Sequence, residues 1–586
     1  MSNFRNIVGR AWPGVLAGLV AGFAALGTAE LVAGLVRPAA APVAVVGGAV
    51  IDRTPSAVKD FAIRSFGEND KSVLRLGILA VVVLIAMGLG LVAPRHRRTG
   101  AAGVLLFGLV GALAAMSRPD AGPADVLPSV IGSLTGAAVL CLLASRAVPG
   151  PGTGPPEGGG EADRSRAVPG PGTGRPEGDG EADRSRVLPG PGTGRPEGGG
   201  GADRSRAVPG PGTGRPEGGG GAGRWNRRGF LTAAAVTAGA AAGAGALGRF
   251  LGARRGQDAV ASRDRLVLPA PASAAPPVPA GARLGAAGIT PFTTPNRAFY
   301  RVDTALVVPE VDAGTWRLRI HGEGLARART YTLADLLARP LIERDITLTC
   351  VSNEVGGPYA GNARWLGVPL ADLLDDCGVR PPSKGGRADQ LVARSVDGMT
   401  FGSPVEEVMD GRDAMLAVGM NGEPLPFDHG FPVRMLVPGL YGYVSACKWI
   451  EDIELTTFDR YDPYWVKRNW ARRAPVKTQS RIDTPRPFAR PPAGTVLVAG
   501  VAWAQRRGIT RVEVRVDDGP WQDADLAAQD TVDTWRQWVY RWQATRGSHT
   551  LAVRATDGTG AVQSEQRTRT VPDGASGRHS VFVTVT

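Results

Sequence analysis

Cysteine and histidine are scarce in this 586-residue chain. The four cysteines, Cys141, Cys350, Cys377 and Cys447, stand far apart, which excludes a disulfide scaffold, a paired-thiol zinc site and a CxxCH haem attachment. The five histidines, His96, His321, His429, His549 and His579, all fall outside the long apolar runs, so a membrane-embedded bis-histidine haem has no ligands and no haem is encoded. Acidic residues are also short: 54 against 67 Lys and Arg, a net charge of +13. Many of the arginines sit beside apolar runs or in repeats, and no recognition motif accompanies them, so nucleic acid is not the expected partner. Ordinary globular composition is missing too, since 82 glycines and 47 prolines exceed what packed domains use.

Long apolar runs fill the first quarter. Residues 13–36 carry one charge, Glu30, and are long enough to cross about 30 Å of hydrocarbon. Further candidates are 73–93, 101–116 and 126–145, the third being short. Arg5 and Arg10 precede the first run, Arg95-His96-Arg97-Arg98 follow the second, and Arg146 follows the fourth. The positive-inside rule makes those ends cytoplasmic and turns the loops 37–72 and 117–125 outward. Residues 1–146 thus read as a four-helix transmembrane region in contact with membrane lipid.

From 147 to 226 a 20-residue unit, AVPGPGTGxPEGxGxADRSR in its commonest form, recurs four times. It offers almost nothing apolar to bury, so it reads as a disordered linker rather than a solenoid. Next, Asn226-Arg227-Arg228-Gly229-Phe230-Leu231 opens an Ala/Gly-rich apolar stretch. The segment 227–252 resembles a twin-arginine export signal, or else is an ordinary fifth membrane helix; both send the following chain outward. Arg249, Arg254 and Arg255 on the far side run against that orientation. Residues 253–285, rich in Ala and Pro, read as a spacer; Ala272-Ser273-Ala274 is a candidate cleavage site, with retention as an anchor preferred.

After 286 the composition becomes ordinary. Strand-like alternation at Thr315–His321 and Asp345–Cys350, with helix-like 332–338 and 368–376, predicts an α+β domain over 286–484. Over 485–586, short strands separated by Asp518-Gly519 and Asp557-Gly558-Thr559-Gly560 predict a β-sandwich. Cys350 ends a strand and leads into Val-Ser-Asn-Glu-Val-Gly-Gly, where side chains point at a site rather than a core. A thiolate there suits a thiophilic metal, although a lone cysteine is as often a small buried hydrophobe.

Context shifts that balance. Thr294-Pro295-Asn296-Arg297-Ala298-Phe299-Tyr300-Arg301-Val302-Asp303, Thr347-Leu348-Thr349-Cys350 and Asn362-Ala363-Arg364-Trp365-Leu366-Gly367-Val368 resemble the sulfite oxidase family, as do 421–434, Val437-Pro438-Gly439 and Lys448-Trp449. The resemblance covers roughly 286–586. It implies a molybdenum–molybdopterin cofactor; with the apolar runs before it, the expected fold is an N-terminal α-helical membrane bundle, an α+β sulfite-oxidase-like molybdopterin-binding domain and a C-terminal immunoglobulin-like β-sandwich. In that family the sandwich is a dimerisation domain, so 485–586 is the expected surface for a homodimer.

Carried over by motif, Cys350 becomes the molybdenum ligand and a catalytic residue. Asn296, Phe299 and Tyr300 wrap the pterin, and Ser395 or Asp397 supplies another contact. His429 and Arg434 form a cofactor-binding pair, while Ser445 and Lys448 close over the phosphate end. The chain departs from the pattern at Arg301, which follows Tyr300 directly; it becomes a candidate substrate-facing catalytic group, with Tyr441 and Tyr443 beside it as weaker ones. The resemblance implies oxygen-atom transfer on a small, possibly sulfur-containing molecule; the apolar runs place it outside the cytoplasm on a multi-pass cell-membrane protein, and the lack of haem ligands calls for a separate electron carrier. S-oxide reduction of the methionine-sulfoxide type uses the same fold, and a non-catalytic binding protein on this scaffold is a third reading.

Overall fold

The computed structural model describes residues 2–54, 58, 70–118, 121–147, 227–305 and 307–586. Met1–Ala147 and Arg227–Thr586 form one compact unit. The 20-residue repeats lie outside the described residues.

The first part is helical: α1 (Ser2–Val36), α2 (Pro42–Arg53), α3 (Asp70–Val92), α4 (Arg97–Met116), α5 (Leu127–Ala147) and α6 (Arg227–Asp264). Among the described residues, five of these, all but α2, are long and apolar enough to cross a membrane by length and composition. Apolar side chains gain little by leaving lipid for protein, so such helices associate where small residues let backbones touch. α1 shows this on two sides. A Cβ on Gly18 would lie 2.0 Å from the Ala86 carbonyl oxygen of α3, and one on Gly27 would lie 2.4 Å from that of Ala241 in α6. Farther along, Gly248 approaches the Glu30 carbonyl oxygen so closely that its Cβ would sit 2.4 Å away.

Two expected boundaries move. The apolar segment assigned to 227–252 does not stop there: α6 continues unbroken to Asp264, about 57 Å at 1.5 Å per residue. The spacer expected at 253–285 is therefore helical as far as Asp264. Its remainder is tied down as well. Ala272 and Ser273 donate their N–H groups to the Leu341 carbonyl (2.8 and 3.2 Å), Glu343 N–H donates to Ser273 (2.8 Å), and Ala282 is fully buried. Leu266, Leu268 and Val278 are spaced widely enough among Ala and Pro to escape a composition reading, yet each packs on the core.

The α+β part has two sheets. One runs in the order Arg329–Thr332, Arg317–Gly322, Ile450–Thr456, Gln390–Ser395, Thr400–Pro404, with the pair Arg317–Gly322 and Ile450–Thr456 parallel. The other runs Ile342–Thr349, Ala360–Pro369, Met415–Met420, Glu423–Pro424, and Arg434–Leu436 pairs with Met415–Met420. The short helices Leu333–Leu337 and Leu370–Asp376 fall within the two segments expected to be helical. Behind them two four-stranded antiparallel sheets enclose Val498, Val512, Trp538, Val553 and Val583. The 484/485 boundary shifts, because Gln479–Thr484 pairs antiparallel with Gly494–Trp503 and so belongs to this C-terminal part.

Replacing Gly248 by Leu should separate α1 from α6 and cost about 1–3 kcal/mol, the usual penalty of overpacking. Gly243→Leu, whose Cβ meets nothing within 4 Å, is the control. Thermal unfolding in detergent should show a lowered Tm for the first variant and little change for the second.

Candidate active site

Cys350 follows the strand Ile342–Thr349 and starts a tight loop, its N–H donating to Tyr359 (3.0 Å) and its carbonyl accepting from Asn353 N–H (3.0 Å). The C-terminal sheets hold this strand from behind. Gln505 Nε2 donates to the Thr347 carbonyl (3.0 Å), Trp535 N–H donates to Thr347 Oγ1 (2.7 Å), and Thr347 N–H donates to Asp533 (2.9 Å). The thiol is thus fixed by both halves of the domain. Burial pushes its pKa up, while hydrogen bonds from Ser352 and the nearby Lys448 ammonium oppose that rise.

The 294–303 segment is laced to the neighbouring strand by Asn362. Thr294 N–H donates to the Asn362 carbonyl (2.7 Å), and Asn362 Nδ2 donates to the Phe292 carbonyl (3.0 Å). This lets Phe299 stack on Tyr300 (5.2 Å between centroids) and meet Trp365 (5.7 Å) and His429 (5.5 Å) edge-on. Gly361 makes room, since a Cβ there would lie 2.7 Å from the Phe299 ring. Burial drives the Tyr300 hydroxyl to titrate well above its ordinary range; Cys350 adds to the shift and Arg434 opposes it, so all three share one neighbourhood.

His429 and Arg434 flank a turn that only glycine makes easily. Gly430 has φ +110°, and a Cβ there would meet Lys448 Cα at 3.1 Å and Arg434 Cβ at 3.2 Å. His429 Nε2–H donates to the Asn296 carbonyl (2.9 Å), which assigns the tautomer because a carbonyl only accepts. Burial lowers its pKa to about 4, with Arg434 adding to the effect. The Arg434 guanidinium lies 5.2 Å from the Trp365 ring centroid, one N–H reaches the His429 carbonyl (3.4 Å), and its buried Nε has no partner among the described residues. Desolvation lowers its pKa to about 10.

Lys448 Nζ donates to Asp303 Oδ2 (2.9 Å) and the Asp428 carbonyl (3.2 Å), 4.5 Å from the Trp449 ring centroid. Burial lowers its pKa to about 8 despite Asp303. Arg301 stands at the rim, paired with Asp303 (2.9 Å) and Asp428 (2.9 Å).

The residues singled out in the sequence therefore divide. Phe299, Tyr300, Cys350, His429, Arg434 and Lys448 converge. Asn296 joins through His429, but its own amide is engaged by Asn421 Nδ2 (2.7 Å), the Met420 carbonyl (3.2 Å) and Glu423 (2.5 Å). Ser395 and Asp397 stand one strand away: Ile450 pairs with Ser395, and Val396 N–H donates to the Trp449 carbonyl (3.0 Å). The Ser395 hydroxyl is buried and unpartnered among the described residues, whereas Asp397 accepts from Met399 N–H (3.3 Å). Ser445 departs from expectation, its hydroxyl turned back to the carbonyls of Leu440 (2.9 Å) and Tyr441 (3.2 Å) in its own turn. Tyr443 spends its hydroxyl on the Ala471 carbonyl (2.6 Å).

The sequence reading assigned no role to Asp303, Trp365 or Asp428. Asp303 was legible only as a carboxylate two residues after Arg301; that it also reaches Lys448, 145 positions on, is a tertiary fact. Among the described residues no three His, Cys, Asp or Glu side chains gather to hold an ion. A single thiol surrounded by cationic and orphaned polar groups fits a metal that arrives with most of its ligands on an anionic organic carrier.

The neutral, buried His429 makes stability acid-sensitive. Unfolded, its imidazole takes a proton near 6.5; folded, it resists until about 4, so stability is lost as pH falls between those values. His579, lowered to about 4 by burial and then by Arg481, acts in the same window. Tm measured from pH 7 to 4 should fall, and fall less steeply in His429→Asn.

Residues 305–465 match the oxidoreductase molybdopterin binding domain family. The chain is similar to mitochondrial sulfite oxidase of Mus musculus, at 30% identity over 317 residues covering 47% of this chain and 58% of that protein. It is also similar to sulfite oxidase of Gallus gallus, at 31% over 294 residues covering 43% and 63%. It thus spans somewhat more than half the length of these curated relatives. The solved structure of the sulfane dehydrogenase SoxCD from Paracoccus pantotrophus aligns at 25% identity over 50% of this chain and 82% of that one, with a TM-score of 0.44. Residues 305–465 thus carry a molybdopterin-binding oxidoreductase domain, in a chain similar to the sulfite oxidases.

Proposed function

We propose that this is a membrane-anchored enzyme that transfers an oxygen atom to a small sulfur oxyanion on the outer side of the membrane. The observation that carries the reading is the buried Cys350 thiol at a strand tip, sharing its surroundings with Tyr300 and Lys448. When bound, a molybdenum–pterin group supplies two-electron oxygen-atom chemistry; the protein supplies placement and field. Cys350 would give the sulfur ligand; burial raises its pKa, and Ser352 and Lys448 offset part of that rise by favouring the thiolate. The unused Nε of Arg434 and the orphaned Ser395 hydroxyl are donors for a pterin and its phosphate. His429, held neutral, keeps Nδ1 as an acceptor while Nε2–H is occupied by Asn296. Arg301, partly exposed beside Lys448, favours an anionic substrate at the rim.

Placement outside the cytoplasm is supported by the helix ends. Arg37 after α1, Ser117 after α4 and Gly252 within α6 line one cleft with Thr304, Ala305 and residues 307–311 of the domain. By the positive-inside rule these are the outward ends. We take the C-terminal pair of sheets as an immunoglobulin-like dimerisation module, and the start of α6 at Arg227 as compatible with an internal twin-arginine signal retained as an anchor.

Cys350→Ser should reduce turnover beyond the ~10–100-fold typical of losing a group that only orients a metal's ligand, with the Tm nearly unchanged. Unaltered activity would overturn the ligand assignment. Assays of sulfite oxidation and of methionine S-oxide reduction on the same preparation decide direction, and the first should dominate. Replacing Arg227 and Arg228 by Lys should leave the domain inaccessible to a surface-labelling reagent on intact cells if the export signal operates.

A further inference from the structure

Two carboxylates hold Arg301, and they differ in kind. Asp303 accepts from the Arg301 Nε–H (2.9 Å) and from the Lys448 ammonium (2.9 Å) through the same oxygen, and its side chain is 4% exposed. Asp428 meets the guanidinium at another nitrogen, Oδ1 to Nη1 at 2.9 Å, and its side chain is 52% exposed. Removing a buried carboxylate from between two cations leaves them uncompensated in a dry site, whereas an exposed ion pair contributes little to stability. The inner contact is an anchor. The outer one is easily given up.

The backbone beneath Asp428 is fixed independently of its side chain. Phe427–His429 form a single 3₁₀ turn in which His429 N–H donates to the Pro426 carbonyl (2.9 Å). The Asp428 carbonyl accepts from Lys448 Nζ (3.2 Å), and the Phe427 carbonyl accepts from the Trp449 indole N–H (2.8 Å). Rotation about χ1 can therefore carry the Asp428 carboxylate off Arg301 while the peptide, and with it His429, stays where it is.

Charge narrows what could replace it. Arg301 and Lys448 are matched by Asp303 and Asp428, so these four groups together offer an incoming anion no net attraction. Such an anion gains Arg301 only by taking over a contact already made. A sulfur oxyanion is suited to that, since it presents charged oxygens to a guanidinium as a carboxylate does.

We propose that Asp428 is a specificity-determining residue that occupies the substrate's place on Arg301 and is exchanged for it, carboxylate for sulfur oxyanion, while Asp303 keeps the guanidinium in position. The inference rests on the sulfur-oxyanion reading above and names the residues that select within it. Exchange of anion for anion preserves the charge facing Arg301. A neutral S-oxide cannot replace the charge of the departing carboxylate and is disfavoured.

Cofactor-loaded, full-length protein is compared as wild type, Asp428→Asn, Asp428→Glu and Asp303→Asn. The KM for sulfite and the competitive inhibition constant of sulfate are measured at low and high salt, and calorimetric titration with sulfate reads binding alone. Asp428→Asn should bind both anions about fivefold more tightly at low salt, with the gain shrinking at high salt, and Asp428→Glu should return towards wild type. Asp303→Asn should weaken both, because Arg301 loses its anchor; if this variant also lowers the Tm, the two Asp428 variants decide the exchange. Unchanged sulfite and sulfate affinity in Asp428→Asn at low salt, or weakening there as in Asp303→Asn, overturns the proposal. Absent sulfite turnover in the wild type would instead count against the sulfur-oxyanion reading, and the sulfate titration would still decide whether Asp428 competes for Arg301.

Discussion

Arg434 and Lys448 are both taken out of water around the single glycine Gly430, and their compensation is incomplete. Lys448 has Asp303, a carboxylate it shares with Arg301, while Arg434 has an aromatic face, one long hydrogen bond to a carbonyl, and an Nε left over. Burying charge on these terms is expensive, and the lowered pKa of each cation expresses that expense. A pocket built this way is poised for an anion. Much else around it keeps these cations and the Cys350 sulfur in register.

That register comes from small residues and backbone geometry more than from bulk. Gly361 admits the Phe299 ring, Gly430 permits the turn between His429 and Arg434, and Trp449 holds a positive φ of 49° beside Lys448. A non-glycine residue in that conformation persists only where its surroundings over-determine it. Trp449 meets that condition, with its indole N–H on the Phe427 carbonyl and its own carbonyl accepting from Val396. The same economy operates among the helices, where Gly18, Gly27 and Gly248 replace side-chain packing by backbone contact.

Much of this was legible in the sequence, for identifiable reasons. Apolar runs marked the long N-terminal helices because each is an unbroken stretch about as long as hydrocarbon is thick, and a period of two exposed the strands at 317–322 and 342–349. The motif residues Phe299, Tyr300, Cys350, His429, Arg434 and Lys448 converge. Three features were hidden. The end of α6 was obscured because α-helical continuation past Arg254 and Arg255 carries no apolar signal. The attachment of 266–285 depends on scattered single residues such as Leu268 and Ala282, too sparse for any period to reveal. The Asp303–Lys448 pair joins positions 145 apart, and Ser445 spends its proton locally; neither follows from residue type.

Past its apolar stretch α6 runs on without a break, and Arg263 in its last turn grips the carbonyls of Pro424 and Leu425, beside the Glu423 that meets Asn296. The distance from that apolar stretch to the candidate active site is thus counted out in helical turns, like a ruler. Inserting one residue near Gly256 would therefore turn whatever follows it by about 100° relative to the helix before it.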